Sequence, residues 1–283
     1  MTDLYRRQAS LELRSGATVT MVSGVRLAFK VSRDDTTHAN LAEVKVYNLN
    51  ETTRASIARG STLDLVAGFV DVYGSIFRGG VYDVAVAGSG ADIITTIKAS
   101  DSVGSGSLAL GYKGAVAWEV VAVAACRSVA SSCGVRLGNS LDAIVSAPLA
   151  PSYPRGYACR GRALPELSRI LAVGGLSVSV QSGDLQLVGQ SVGVGPLQVI
   201  SLTAASGLVG SPVVAGRKPP GSPPDKTPKG HVIKALLQSR IFPGVMVSVE
   251  SMALTGQYRV KSIGHQGDTE GKIGRASCRE RVY

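Results

Sequence analysis

The sequence predicts a mainly β fold in which two small β-barrel domains flank a middle α+β domain. Runs that alternate apolar and polar residues, bounded by Gly, Asn and Asp, recur in the opening and closing thirds, and this period of two indicates strands. Long helical patterns occur only in the middle third. Aromatic residues make up 5% of the 283 positions, whereas Gly occurs 34 times, which favours short strands and tight turns. We place the domains at 1–103, 104–190 and 191–272.

The opening domain is predicted to contain at least five strands and a short helix. Its clearest strand, 25–31, carries apolar side chains on one face and Arg26 and Lys30 on the other, as a half-buried strand does. The further predicted strands are 42–49, 62–69, 76–84 and 92–101, and the polar segment 51–58 is predicted to form one or two helical turns. A closed or nearly closed barrel would hide the edges of these strands.

The middle domain is predicted to combine two helices with a hairpin. Apolar residues at three- and four-residue spacing predict a helix over 115–133, which Gly134 ends. A second apolar stripe predicts a helix over 164–171, with Pro165 in its first turn and Gly174-Gly175 after its end. The other predicted parts are a Gly/Ser-rich connector at 103–114, an irregular stretch at 139–162 and a hairpin of strands 176–180 and 185–188.

The closing domain is predicted to be a second β unit that a loop interrupts. Strand patterns occur at 197–203, 245–249 and 258–261. Between the first and second of these, the segment 216–230 carries five prolines together with glycines and charged residues. Proline cannot donate to a ladder, so this segment is predicted to be an exposed, flexible loop.

The final segment, 273–283, matches the translation of a sequencing adapter. We expect it to be an artefact and leave it out of the fold prediction. The natural chain is then expected to continue differently after Lys272, with one or more final strands missing. Without this segment the formal net charge falls from +10 to about +8, so the chain remains basic.

The chain carries no sign of a membrane or export segment. No uninterrupted apolar run approaches the ~20 residues that cross a bilayer. The first residues, 1–14, are polar and charged without an apolar core, so no signal peptide is expected. We therefore expect synthesis in the cytoplasm, where the protein stays or is assembled, and no membrane partner.

The cysteines do not form a disulfide or zinc pattern. Without Cys278 in the final segment, the chain has Cys126, Cys133 and Cys159. Their odd number and the absence of a CxxC spacing argue against both a disulfide framework and a zinc site. We expect free, buried thiols.

The histidines and the known catalytic motifs give no active site either. No GxSxG, phosphate-binding loop or dinucleotide fingerprint is present. His38 and His231 are expected to be exposed and inert, because neither has a ligand nearby in sequence. His265, three residues before Asp268, is expected to make a structural hydrogen bond. The sequence therefore predicts no catalytic, cofactor-binding or metal-binding residue, no cofactor and no enzymatic activity.

Basic residues are spread through the opening domain with few aromatic residues between them. They include Arg26, Lys30, Arg33, Lys45, Arg54 and Arg59. A site that reads nucleic-acid sequence would combine such a patch with stacking rings or a recognition helix. Two interpretations stay open: a solvated outer face, or contact with acidic neighbouring subunits, which we favour over DNA binding.

Two groups of short motifs suggest a family. The first group lies in 41–101 and consists of Tyr47-Asn48-Leu49, Ala67-Gly68-Phe69, Ile76-Phe77-Arg78-Gly79 and Ala99-Ser100-Asp101. The second consists of Phe242-Pro243-Gly244-Val245, the segment 256–260 and His265-Gln266-Gly267-Asp268. In this order the motifs resemble the baseplate hub proteins of phage tails, and the resemblance extends to about Lys272.

The resemblance implies an architectural function. Hub proteins of this kind carry two domains that resemble the tail tube, and three copies form a ring of six similar domains. The implied function is to join the tail tube to the central spike and to leave a channel for the genome. The implied partners are two further copies of the chain, the tail tube or distal tail protein, the spike and the tape-measure protein, and the implied location is the virion tail.

Two other functions are kept as alternatives. One is a tail-associated peptidoglycan-degrading enzyme, whose activity would depend on Asp268 or His265. The other is a nucleic-acid-binding β-barrel, whose affinity for DNA would fall steeply with salt. Sequence-specific recognition of nucleic acid is not expected.

Overall fold

The computed structural model describes residues 7–69, 72–101, 106–147, 149, 151–189, 199–214, 230–270 and 275–281. Strands account for 53% and helices for 17% of it, so the mainly β prediction is confirmed. The chain divides into two compact units. The first comprises Met1–Asp34, Asn40–Ser100 and Gln198–Tyr283, and the second comprises Asp35–Ala39 and Asp101–Leu197.

The predicted strands and helices occur in the predicted order, among further elements that the sequence analysis does not predict. The opening part contains β1 (Arg7–Ser15), β2 (Thr18–Val22), β3 (Leu27–Asp34), β4 (Leu41–Tyr47), α1 (Glu51–Ser56), β5 (Thr62–Phe69), β6 (Val72–Ser89) and β7 (Asp92–Ser100). The middle part contains β8 (Ser107–Tyr112), β9 (Val116–Ala117), α2 (Trp118–Cys133), α3 (Ser140–Val145), β10 (Ser152–Tyr153), β11 (Tyr157–Arg162), α4 (Ala163–Val173), β12 (Leu176–Gln181) and β13 (Asp184–Gly189). The closing part contains β14 (Ile200–Leu202), β15 (Val213–Val214), β16 (His231–Leu236), β17 (Met246–Glu250), β18 (Thr255–Asp268) and β19 (Arg275–Arg281).

One sheet of 13 strands runs through the first unit, in the order β15-β16-β19-β18-β3-β4-β7-β6-β5-β1-β2, with β14 and β17 attached at β18. The join lies between β3 and β18, which pair antiparallel from Ser262 opposite Asp34 to Asp268 opposite Ala28. The sequence predicts two small β-barrels, the opening one closed or nearly closed, but the described sheet does not close. The physical reason is that β3 uses its second edge to pair with the closing segment instead of with another opening strand.

Alternating burial along the strands builds the core beneath this sheet. In β5, Leu63, Leu65 and Ala67 are buried, and the residues between them are half-exposed. This is the period of two from which the strand at 62–69 is predicted, and that prediction is confirmed at both ends. The same core includes Leu11 and Leu13 on β1 and Val44 and Val46 on β4, among others. The closing strands add a second apolar cluster that includes Val247, Val249, Val260 and Ile263.

The second unit packs two helices against a hairpin. Trp118, at the start of α2, is fully buried and donates its indole N–H to the Ile170 carbonyl on α4 at 2.7 Å. Helix α2 ends at Gly134, whose φ of 69° is the left-handed conformation that glycine adopts without a Cβ clash. The hairpin predicted at 176–188 is confirmed as β12 and β13.

Two predictions for the second unit are wrong. Part of the expected connector forms β8, and part of the expected irregular stretch forms β11 and α3. Strands β8 and β11 pair antiparallel, with Leu110 opposite Cys159 and Leu108 opposite Gly161. Each strand is short, and its partner lies far away in the sequence, so the local pattern does not reveal the pairing.

Two further sequence predictions concern the closing part. The proline-rich loop lies outside the described residues except for Gly230. Strand β19, within the segment that matches an adapter, pairs with both β16 and β18.

In the described part of the chain, no helix combines the length and the apolar character that crossing a membrane requires.

Candidate interaction surface

The sequence points to no reactive centre, and the described residues contain no group of three or more His, Cys, Asp or Glu side chains that could hold a metal ion. His38 is exposed, and its Nδ1 lies 3.0 Å from the Thr36 hydroxyl. His231 is half-buried on β16, with its ring edge against Tyr258 at a centroid distance of 5.6 Å. Among the described residues, neither histidine belongs to a cluster of side chains that could hold a metal ion.

His265 and Asp268 do not form a catalytic pair. They are three residues apart on β18, so their side chains point to opposite faces of the sheet. The Asp268 carboxylate accepts a hydrogen bond from Arg26, at 3.0 Å between Nη2 and Oδ2. His265 lies in the interior at 1% exposure. The two residues that the hydrolase alternative names therefore lie on different faces of the sheet.

The environment of His265 differs from the prediction. Neither of its ring nitrogens has a hydrogen-bond partner among the described residues, so the expected structural hydrogen bond is absent there. Burial, together with the nearby Arg33 guanidinium, lowers the pKa of His265 to about 3. The ring is therefore neutral at physiological pH.

The second unit contains three free thiols, Cys126, Cys133 and Cys159. Cys126 is buried, whereas Cys133 and Cys159 are half-buried, so the expectation of three buried thiols is correct for the first alone. Burial raises the pKa of Cys126 to about 12. Burial and the neighbouring Cys159 raise the pKa of Tyr157 to about 12. Cys126 and Tyr157 are therefore protonated, and not nucleophilic, at neutral pH.

The outer face of the first unit carries interspersed charges of both signs. Positive and negative residues alternate across four neighbouring strands. In order, they are Lys30 on β3, Glu43 on β4, Lys98 on β7 and Asp83 on β6, each directly opposite the next. The Lys98 ammonium is 3.4 Å from the Asp83 carboxylate. Three other cations also pair with carboxylates: Arg26 with Asp268, Lys45 with Glu43, and Arg59 with Asp83. The basic residues of this face thus do not form a patch of a single sign.

The ends of the large sheet expose apolar side chains. Strand β2 pairs only with β1 among the described strands, and its Val19 and Met21 are 51% and 59% exposed. At the opposite end, Val213 on β15 is 62% exposed. Unpaired strand edges offer backbone N–H and C=O groups to a further strand.

The hairpin of β6 and β7 presents a longer free edge. Strand β5 pairs with β6 from Phe69 opposite Val72 to Thr62 opposite Gly80, and Val81 bonds to Ser61. Beyond that point β6 continues to Ser89 with β7 as its only ladder partner among the described residues. The sequence interpretation ends this strand at Val84 and therefore misses its distal part, where small residues make the alternation weak.

A small apolar pocket lies elsewhere in the first unit. It has a volume of about 20 Å³ and is lined chiefly by Phe29, Ala67, Phe69 and Leu237. Its polar lining includes Asp268, whose carboxylate is already paired with Arg26. The pocket therefore offers an apolar recess beside a neutralised charge.

Comparison with known proteins identifies the fold. No protein-family model and no curated protein matches the sequence. The tail protein from Neisseria meningitidis MC58 superposes with a TM-score of 0.62 at 11% identity, over 98% of this chain and 97% of that one. The 43 kDa tail protein of prophage MuSo2 from Shewanella oneidensis gives the same TM-score of 0.62 and 11% identity, over 96% and 97%.

A third neighbour comes from a secretion machine. It is an E. coli component of the type VI secretion system that exhibits structural similarity to the T4 bacteriophage tail proteins gp27 and gp5. It aligns with a TM-score of 0.53 and 8% identity over 96% of this chain and 76% of that one. At such identities the likeness defines the fold alone. The chain thus has the fold of phage tail and type VI secretion tail proteins.

Proposed function

We propose that this protein is a structural baseplate hub of a phage tail, in which three copies form a ring between the tail tube and the central spike and leave a channel for the genome. The observation that carries the proposal is the full-length match to two phage tail proteins, which covers 96% or more of both chains. Because each match covers nearly all of both chains, it includes the α+β unit as well as the strands before and after it.

The arrangement of the sheet supports an architectural function. In the sequence, one group of β strands precedes the α+β unit and another follows it. We propose that the segments 1–103 and 191–272 act as the two tube-like halves of the hub, with 104–190 as the middle domain. Among the described strands, β2, β15 and the distal part of β6 each have one edge without a ladder partner. Neighbouring subunits in a ring would cover such edges.

The charge pattern is consistent with protein partners. On the outer face basic residues alternate with acidic ones across β3, β4, β7 and β6, a pattern that suits docking with a defined register more than binding to a polyanion. We propose the tail tube or distal tail protein, the spike and the tape-measure protein as partners. We propose the virion tail as the location and no reaction, cofactor or sequence-specific nucleic acid for this chain.

Sedimentation velocity of the purified protein at micromolar concentration tests the proposal. We expect a species of three times the 29.2 kDa chain mass. A chain that ends at Lys272 serves as the control for the adapter-like segment, and it should give the same species if the segment plays no part. A stable, folded monomer from both chains would contradict the ring.

The neighbourhood of the gene offers an independent test. The proposal expects reading frames for a tape-measure protein and a spike close by. A gene set for an unrelated metabolic pathway around this reading frame would argue against a tail function.

A further inference from the structure

We infer that the free edge of β6 from Val84 to Ser89 is a contact that seats another copy of this chain. The inference rests on the proposed function, because it names the surface through which the subunits of the ring meet. The distal part of β6 pairs with β7 on one side from Asp83 to Ser89. Its other side has no ladder partner in the described part of the chain, since the pairing of β5 stops at Gly80.

The apolar face of the hairpin continues past the core of the unit. Ile97 on β7 is buried, and Val84 opposite it is half-buried. Two positions further out on the same face, Val86 is 52% exposed, and Ile93, diagonally across from it, is 43% exposed. The sheet face that covers the core thus extends beyond it with aliphatic side chains in solvent.

The edge lacks the features that normally protect a free strand. From Val84 to Ala91 the hairpin contains no charged residue and no proline. The last charge before it is Asp83, which already pairs with both Arg59 and Lys98. Lysines, prolines or bulges on an exposed edge prevent pairing with other chains. The register shift of this hairpin lies between Val81 and Asp83, so the segment from Val84 to Ser89 beyond it is suited to pairing.

Charge favours a second copy over an acidic partner as the occupant. The chain has a formal net charge of +10, so two copies repel each other except where their surfaces carry no charge. The segment from Val84 to Ala91 carries no charge, so it meets this condition and offers nothing that would attract an anionic strand. In a cyclic ring each contact is heterologous, so this edge would meet a different surface of the neighbouring copy.

Site-specific photo-cross-linking tests the contact on the full chain. A photoreactive amino acid at position 86 should give adducts of two and three chains, whereas the same amino acid at position 120 should give none. Val120 lies on α2 and, at 51%, is exposed to the same degree as Val86. Trimers in solution without adducts from position 86 would overturn the inference and leave the proposed hub intact. Monomers in solution without adducts would overturn both.

A charge variant provides a second measurement. Val86→Lys should raise the dissociation constant of the assembly at least tenfold, because a lysine on the edge opposes pairing, while Val120→Lys should leave it unchanged. Equal thermal midpoints for Val86→Lys and the parent monomer would show that the variant folds. An unchanged dissociation constant in a folded Val86→Lys protein would contradict the inference.

Discussion

The Arg26 guanidinium donates to the Asp268 carboxylate at 3.0 Å between Nη2 and Oδ2, although 242 positions separate the two residues. The pair lies where the start of β3 meets the end of β18. It is reinforced by the Leu27 backbone N–H, which donates to the Thr269 hydroxyl at 2.9 Å. These side-chain hydrogen bonds therefore connect the opening and closing segments at the end of the ladder between β3 and β18.

Arg26→Gln should lower the thermal stability of the protein by a small amount. Arg26 also stacks over the Tyr47 ring, 4.4 Å from its centroid, so the variant loses a cation–π contact as well as the ion pair. Because the pair is partly exposed, we expect a small drop in the thermal midpoint, about 2 °C, that shrinks in 1 M salt. Lys30→Gln is the control, since Lys30 is an exposed cation on the same strand. An equal drop in both variants would show that net charge, and not the pair, is responsible.

Stability should fall in acid because of His265. Its folded-state pKa, about 3, lies below the ordinary histidine value of 6.5, so between these values the unfolded chain binds a proton that the folded chain does not. The free energy of unfolding therefore decreases as the pH falls from 6.5 towards 3, by up to ~1.4 kcal/mol per pH unit from this residue.

The variant His265→Leu isolates this effect. Relative to the parent, the variant should gain about 2 kcal/mol in unfolding free energy between pH 7 and pH 5, as measured by urea unfolding at each pH. His38→Leu, which changes an exposed histidine, should run parallel to the parent. A constant difference between His265→Leu and the parent across this range would contradict the assigned burial.

Gly174→Ala should disturb the packing of Trp118. A Cβ at Gly174 would overlap the Trp118 ring, and the ring cannot move away because its N–H is bonded to the Ile170 carbonyl. We expect a loss of about 1–3 kcal/mol in stability and a change in the fluorescence of this single tryptophan. Gly111→Ala, where a Cβ meets nothing within 4 Å, should be close to neutral. Matching effects in the two variants would contradict the predicted overlap.

Asn139→Ala should weaken the attachment of α3 to β13. The Asn139 side chain accepts from the Leu187 N–H and donates to the Leu187 carbonyl, both at 2.8 Å. Its removal leaves two backbone groups of a buried residue unpaired, so we expect a loss of about 1–3 kcal/mol by urea unfolding. The control is Gln266→Ala, which removes an exposed amide. A loss no larger than that of the control would show that water replaces both bonds.

Local patterns predict the elements that depend on local periodicity. Strand β5 and helix α4 lie where the alternation at 62–69 and the apolar stripe at 164–171 place them. The pairings of β3 with β18 and of β8 with β11 join segments that are remote in sequence. No local signal gives the register of such pairs, because it depends on which edges other strands leave open.

The same distinction applies to the interaction surface. Sequence motifs indicate a tail protein, and the solved tail proteins share its fold. The free edge of β6 can be recognised only when it is known that β5 stops pairing with β6 at Thr62, opposite Gly80. Asn139 and Asp268 likewise form hydrogen bonds with residues that are distant in the sequence, Leu187 and Arg26, so local patterns do not predict these contacts.

Electron microscopy of the purified assembly tests the central claim most directly. Two-dimensional averages viewed along the axis should show a ring with threefold symmetry, six similar outer lobes and an open centre. Averages that show solitary compact particles, or a closed twofold dimer without a central opening, would contradict a hub that joins a tail tube to a spike.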